Sequence, residues 1–431
     1  MREVQFVGEI DIELQGVIGS TAFLGSNIVN DDFTDDEQSQ LVIGGIDGSL
    51  VIYENLESAD QNGEDSMIPV FTSKDYGMIA SINQITSGDS QWLVVLGRNG
   101  LLSLTKFIRA DDGKTVEEDV MVSYDILRNA IMMELIDNYV MIQLPEGKFQ
   151  LYSLIEDSED VLTVIAVKSW DMREELEKVK EDNDKEEKIT FSNITKTGKK
   201  GNYIFSVIAH IQTDDSTKRL LISFDEKNET TLRSLAVPKS GKTAPHIIGE
   251  LCNQDGQTFF CSAEKGSLDA SIFKEKSASA ITCCGQLYSQ KNGLSLSEEC
   301  DENLSTEITA PIISVSKLDV LKDGNEELVI CTDNGLTYII STNPNQDIIK
   351  YHHRRGIRFL TAGRFGATPC FVYLTCRNHV QVFRNVQLPW LSSKGILERL
   401  EDHPQISKFF RENGCATPEQ KKEMMKKLLY S

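Results

Sequence analysis

The chain is 431 residues long and carries 66 acidic against 44 basic side chains, a formal net charge of −22. That balance repels phosphate backbones and anionic headgroups, which excludes nucleic acid as an expected partner, and no window approaches the ~20 apolar residues that cross a bilayer, so no direct membrane insertion is expected. The acidic start, MREVQFVGEIDIELQG, lacks the apolar stretch of a secretory signal, and nine cysteines in strand-like contexts such as VICTDN, TPCFVY and LTCRN read as small hydrophobes of a cytoplasmic protein.

At the N-terminus, VQFVGEIDIEL is expected to close a ring by adding a strand to the last repeat, whose inner strands include CFVYLT, since an open blade edge needs a cover. After it one pattern dominates: an apolar run, a tight turn and a second apolar run, the mark of a β-hairpin. LVIGGIDGSLVIYEN turns at Asp47-Gly48, WLVVLGRNGLLSLTKF at Asn99-Gly100 and VMIQLPEGKFQLYSL at Gly147. NYIFSVIAHI and KRLLISFDE are joined by the polar QTDDST. FFCSAEKGSLDASIF turns at Gly266, LVICTDNGLTYIIS at Asn334-Gly335, and CFVYLTCRNHVQVFRN at Arg377-Asn378, where Asn tolerates a positive φ.

Most hairpins follow a further short strand, as in STAFLGSNIVNDD, MIASINQITSGDS, APHIIGELCNQDG, PIISVSKLDVLKDG and FLTAGRFGATP. Four strands per repeat of roughly 40 to 50 residues predict an all-β, seven-bladed β-propeller, because one blade alone cannot bury both faces. It is expected over residues 1–390. Trp170-Asp171 is a lone WD dipeptide without an upstream G-H, and reads as chance.

Two segments break the repeat. MREELEKVKEDNDKEEK, residues 172–188, is a charged insertion in the fourth blade, expected to be exposed and either helical or unstructured. The tail, residues 391–431, shows helical spacing at Ile396, Leu397 and Leu400 and again at Ile406, Phe409 and Phe410. Thr417, Pro418 and Gln420 fit N-cap, N1 and N3 of a capping box, with a stripe at Met424, Met425, Leu428 and Leu429. A short α-helical C-terminal extension is expected.

In KLDVLKDGNEELV, Asp319, Asp323 and Glu327 would occupy positions 1, 5 and 9 of a calcium loop around Gly324, but position 3 is Leu321, which cannot ligate. The same residues also make an ordinary turn before a strand. Cys283 and Cys284 are adjacent, without the spacing of a zinc site. The six histidines, His210, His246, His352, His353, His379 and His403, sit in no nucleophile or metal motif. No G-x-S-x-G, P-loop or G-x-G-x-x-G occurs, so no catalytic residue and no cofactor is expected. His352, His353, Arg354 and Arg355 form a local basic patch in an acidic chain, either a solvated connection between blades or a surface for an acidic partner.

DVLKDGNEEL followed by LVICTDNGLTYII resembles an FG-GAP repeat, the blade type of integrin α-subunit propellers, although the middle calcium position is lost and GRFGATP is the nearest approach to the F-G and G-A-P words. The longer series KLDVLKDGNEELVICTDNGLTYII, IRFLTAGRFGATPCFVYLTCRNHVQVFRNVQL and LERLEDHPQISKFFRENG is similar in order and spacing to the integrin-alpha FG-GAP repeat-containing protein 2 family. LVIGGIDGSLVIYEN and APHIIGEL add to it. The resemblance implies an intracellular, non-enzymatic subunit of KICSTOR, a scaffold that tethers the GATOR complex to the lysosomal surface and lets amino-acid or glucose shortage restrain the TOR kinase. It also implies a kaptin-like second propeller and a very large scaffold protein as partners. Three other readings stand beside it. A calcium-binding extracellular adhesion propeller predicts disulfides, a propeller enzyme predicts converging groups at the central channel, and a BBSome-like trafficking-coat propeller shares the architecture.

Overall fold

A computed structural model of the chain describes residues 2–387 apart from residue 4 and the connections 15–18, 31–38, 57–65, 111–114, 158–160, 178–186, 200–201, 214–216, 225–229, 236–245, 252–258, 264–269, 278–279, 288–311, 321–324, 341–348, 354–355 and 366–367, with single positions in the tail. The chain opens with β1 (Arg2–Glu3) and β2 (Gln5–Glu13). A first sheet follows, β3 (Gly19–Ser26), β5 (Ser39–Gly45), β6 (Leu50–Leu56) and β7 (Ser66–Ser73), with the short β4 (Val29–Asn30) between its first two strands. The second is β8 (Ile79–Ser87), β9 (Ser90–Gly97), β10 (Leu101–Arg109) and β11 (Val116–Asp125); the third is β12 (Met132–Ile136), β13 (Tyr139–Gln143), β14 (Lys148–Glu156) and β15 (Leu162–Asp171). Helix α1 (Met172–Glu177) leads into the fourth, β16 (Lys188–Phe191), β17 (Thr195–Lys199), β18 (Asn202–Gln212), β19 (Thr217–Phe224) and β20 (Thr230–Leu235). A fifth sheet, β21 (His246–Leu251), β22 (Phe259–Ala263), β23 (Ala270–Ser277) and β24 (Ala280–Leu287), is described by its backbone. The six others carry described side chains. They end with β25 (Ile312–Leu318), β26 (Glu327–Thr332), β27 (Leu336–Ile340) and β28 (Ile349–His352), then β29 (Ile357–Phe365), β30 (Thr368–Thr375) and β31 (His379–Gln387).

These sheets are the blades of a β-propeller. The innermost strands touch in sequence, β3 to β8, β12, β17, β21, β25 and β29, and β29 returns to β3. Second strands such as β9 are sandwiched between neighbouring blades on both faces, which is why Trp92, Leu93, Val94, Val95 and Leu96 form an unbroken apolar run, all at 0% exposure. Outer strands alternate or turn polar, as in VEEDVMVSYD of β11. The core is therefore a set of layers between blades: Val42 and Ile52 meet Leu93 and Phe107, and further on Phe371 and Phe383 meet Val329 and Ile339.

The expected ring closure is present. β2 pairs antiparallel with β31, from Gln5 opposite Gln387 to Glu13 opposite His379, and β1 pairs parallel with β28. Asn378 in the last turn adopts φ 64° and its side chain stitches the entering chain: Nδ2 donates to Leu14 O at 3.2 Å and Oδ1 accepts from Gly19 N at 3.2 Å. Glycine would supply the same φ but neither bond, which explains Asn at this turn. His379 Nδ1 lies 2.9 Å from Asp11 Oδ1 on the joined strand.

Three local expectations change. The insertion after residue 171 is not wholly exposed, because α1 places Met172 and Leu176 four residues apart on one face, and both enter the core shared by the third and fourth blades. Asp171 Oδ1 accepts from Arg173 N at 3.2 Å as a cap, while Trp170 packs edge-on against Phe224 at 5.1 Å. Thus both members of the lone WD pair have structural work. Cys331 and Cys370 are buried within strands as read, but Cys376 is exposed, since β30 ends one residue before it. A helical extension as a whole is not supported, because most of residues 388–431 lie outside the described positions, although the single described positions Phe410, Gln420, Lys421 and Met424 are helical. Thr417 and Gln420 do exchange the two bonds of a capping box, at 3.1 and 3.3 Å. The turn at Gly266 is likewise outside the described residues.

Candidate interaction surface

The loop of residues 317–327 joins β25 to β26, and its ends pair, Leu318 opposite Glu327. Glu327 is 1% exposed, and its Oε2 accepts the Val320 N–H at 2.8 Å. Asp319 Oδ2 lies 3.3 Å from Arg364 Nη2 on β29, so it ties one blade to the next. Asp323 lies outside the described residues. The two described carboxylates are thus engaged by protein donors, one closing the turn and one bridging blades. Among the described residues no three His, Cys, Asp or Glu side chains converge on a point.

The basic patch does not form one surface. His352, at the end of β28, is exposed, with Nε2 3.3 Å from Asn334 O. His353 points the other way, as successive residues of an extended chain do, and is 3% exposed. Its ring stacks on Tyr373 at 4.9 Å, meets Phe383 edge-on at 5.7 Å and bonds Gln381 Oε1 through Nε2. Its N–H donates to Gly335 O at 2.9 Å. His353 is a core residue of the layer between the last two blades, and Arg354 and Arg355 lie outside the described residues. A sequence reading that counts charges in a run misses this because the run crosses from strand to connection, where the facing alternates.

The channel side of the ring holds groups that sequence analysis did not single out. A cavity of about 640 Å³ opens between β8, β12 and β17, lined by Asn83, Gln84, Thr86, Glu134, Asn138 and Lys196 among others. Glu134 keeps part of its surface in the channel, yet protein surrounds it, and burial pushes its carboxyl above the usual carboxylate range. The Lys196 ammonium, the Leu135 N–H and the Lys317 ammonium pull in the opposite direction. This is a polar, charge-compensated lining that suits water or a polar ligand. Its signal in sequence is a lone charge inside a short apolar strand, MMELI.

Two further charged pairs sit between strands. Arg109 Nη2 on β10 reaches both Glu54 oxygens on β6, at 2.8 and 2.9 Å, across the first two blades. Arg219, nearly fully buried, donates from Nε to His210 Nδ1 at 3.2 Å. Burial, with the Arg219 charge beside it, lowers His210 to about 4. Among the described residues no helix is long and apolar enough to cross a membrane.

Known proteins share both the sequence pattern and the fold. The family described as integrin-alpha FG-GAP repeat-containing protein 2 matches residues 62–388. The KICSTOR complex protein ITFG2 of Mus musculus is 32% identical over 125 residues, 28% of this chain and 28% of that protein. Its Bos taurus counterpart is 34% identical over 117 residues, 26% of this chain and 22% of that protein. The aligned part therefore spans less than a third of either relative. Among solved structures, BBS1N in complex with ARL6DN overlays at a TM-score of 0.54 with 12% identity, over 91% of this chain and 99% of that one. The Cps50 (Swd1) β-propeller domain of Myceliophteria thermophila overlays at 0.51 with 12% identity, over 86% and 98%. These two likenesses are of fold.

Proposed function

The chain belongs to the integrin-alpha FG-GAP repeat-containing protein 2 family, and from that premise we propose that it is a non-enzymatic scaffold subunit of a KICSTOR-like complex. In this reading it helps recruit the GATOR complex to the lysosome and restrains TOR signalling when amino acids or glucose run short. Its partners are a kaptin-like second propeller and a very large scaffold protein. It is cytoplasmic and reaches the lysosomal membrane through the complex. The observation that carries the reading is the family match, which runs from β7 through every later sheet to β31. The names of the mouse and bovine relatives point the same way.

The geometry favours binding over turnover. Charged pairs such as Asp319–Arg364 and Glu54–Arg109 join blades, and Glu134 and Lys196 line the cavity between β8, β12 and β17. A ring so tied is a rigid disc whose edges and loops serve as separate docking faces. We assign the propeller to residues 1–390 and a separate docking element to residues 391–431, with His352 as the member of the basic stretch open to a partner.

The test is purification of the tagged full chain from its own cells, with and without a calcium chelator, and identification of co-purifying proteins by mass spectrometry. The expected result is a second propeller protein and a very large scaffold in near-equal amounts, unchanged by chelation. Absence of both, or dissolution of the complex on chelation, overturns the reading and returns weight to a calcium-dependent propeller.

A further inference from the structure

An open sheet edge presents unpaired N–H and C=O groups, and proteins guard such edges with charge, proline or a covering strand. Among the described residues, four outer edges of this propeller follow that rule. β7 carries Pro69 in its middle; β11 exposes Glu117, Glu118 and Asp119; β28 is covered by β1; and β2 exposes Glu9, Asp11 and Glu13. β15, the last strand of the third sheet, instead exposes Ile165 at 50%, Ala166, and Val167 at 49%. Exposed Ile155 on the neighbouring β14 extends the apolar surface. The guards lie at the far margin of this run, where the strand bulges at Val167 and Lys168 follows, and none lies between Leu162 and Ala166.

The two ends of the edge are acidic. Glu156 and Asp157 precede β15, and at its far end Asp171, Glu174, Glu175 and Glu177 outnumber Lys168 and Arg173, with Lys148 3.7 Å from Asp171. Past α1 the chain's own charged insertion, KVKEDNDKEEK, has one apolar residue, Val179, and is itself rich in acids, and a second copy would bring another net charge of −22 against the same acidic ends. A segment with basic ends meets neither objection.

We propose that β15 is a docking edge that takes an extended segment of a protein partner by strand addition, the segment apolar at its centre and basic at its ends. Main-chain hydrogen bonds supply the attachment, and alternate side chains against Ile165 and the acidic flanks supply the choice of partner. Tyr124 Oη of β11 already donates to Leu162 O at 3.3 Å, so the open straight part of the edge runs from Thr163 to Ala166, where it ends because Val167 is the extra residue of a bulge in which Leu151 faces Lys168 and Tyr152 faces Ala166. This docking edge is independent of KICSTOR membership, and its test uses the purified chain alone, so either can fail without the other.

The probe is the synthetic peptide KKVTVTVKK, measured by fluorescence anisotropy and by hydrogen exchange of the full chain. The expected result is saturable binding with slowed exchange in residues 162–168. The double variant Ile165→Lys/Val167→Lys, at positions that face solvent, is expected to keep the wild-type melting temperature and lose at least tenfold in affinity. The peptides EEVTVTVEE and KKVPVPVKK are expected to bind at least tenfold more weakly. Three results overturn the proposal: exchange of residues 162–168 unaffected by the peptide, equal binding of EEVTVTVEE, or a peptide-free dimer of the chain that the double variant abolishes, which would give the edge to a second copy.

Discussion

Replacing Ile10 by alanine tests whether the N-terminal strand holds the ring shut. Ile10 lies opposite Val382 in the pairing of β2 with β31, and it packs in one layer with Leu14, Leu374, Val380 and Val382 while only 7% exposed. Deleting three buried carbons from such a site costs about 3 kcal/mol, the transfer loss plus the cavity left behind. Unfolding entropy scales with length, so 431 residues imply about 0.9 kcal/mol per kelvin and a fall in Tm of about 3 °C. The exposed Glu13 on the same strand is the control: Glu13→Ala is expected to shift Tm by less than about 1 °C, since surface changes stay within about 0.5 kcal/mol. Because the strand is joined to the ring from outside its repeat, the damage is expected to be local first. Hydrogen exchange of β31 should accelerate in Ile10→Ala while β13, buried between distant blades, stays protected. Equal exchange of β31 in the two proteins, together with an unchanged Tm, would refute the latch.

Four further outcomes follow from the described contacts. Glu54→Gln should cost about 3 kcal/mol by leaving the Arg109 guanidinium beside a neutral amide, and Glu54→Gln/Arg109→Met should recover most of that in a double-mutant cycle of thermal melts, as expected for a pair about nine-tenths buried. His353→Ala should lower Tm by several degrees, whereas His352→Ala leaves it unchanged; equal effects would restore the histidines to one surface. His210 has its pKa lowered on folding, so the unfolded chain binds the proton first: the neutral imidazole's contribution is complete above about pH 6.5 and is lost as pH falls toward about 4. Its span is up to about 3 kcal/mol, and His210→Gln should narrow the Tm difference between pH 7 and pH 5. Burial pushes the thiols of Cys331 and Cys370 up to about 12, so iodoacetamide at pH 8 should label exposed Cys376 in the native chain and reach the other two on unfolding.

The architecture was legible because its causes are local. Turn residues such as Asp47-Gly48 and Asn334-Gly335 must adopt special backbone angles, and second strands buried on both faces must be apolar without a break. Even the closing strand VQFVGEIDIEL could be placed, since an open blade edge needs a cover. What escaped was anything decided by facing. Met172 and Leu176 sit in a run whose average charge argues for exposure, yet one helical turn aligns just those two with the core. His353 belongs to a run of four basic residues, but a single step along an extended chain turns it inward onto Tyr373. Composition averages over a segment, whereas burial acts on one side of it.

The same distinction bears on what the acidic loop became. A calcium site needs several oxygens left without protein donors so that an ion can gather them. In this chain Leu321 stands at the middle ligand position, and the two described carboxylates have protein partners: Glu327 closes the turn on Val320, and Asp319 reaches across to Arg364 of the following blade. Asp319 of this loop thereby helps fix one blade against the next. Glu54 with Arg109 does the equivalent task between the first two blades, and Asn378 does it at the seam. A propeller tied in this way has its blades fixed to one another by its own side chains, and the proposed docking uses its edges and surface charge. On such a disc the docking proposed at β15 would draw its choice of partner from a strand edge and the acids around it, on a chain of net charge −22, more than from any single polar side chain.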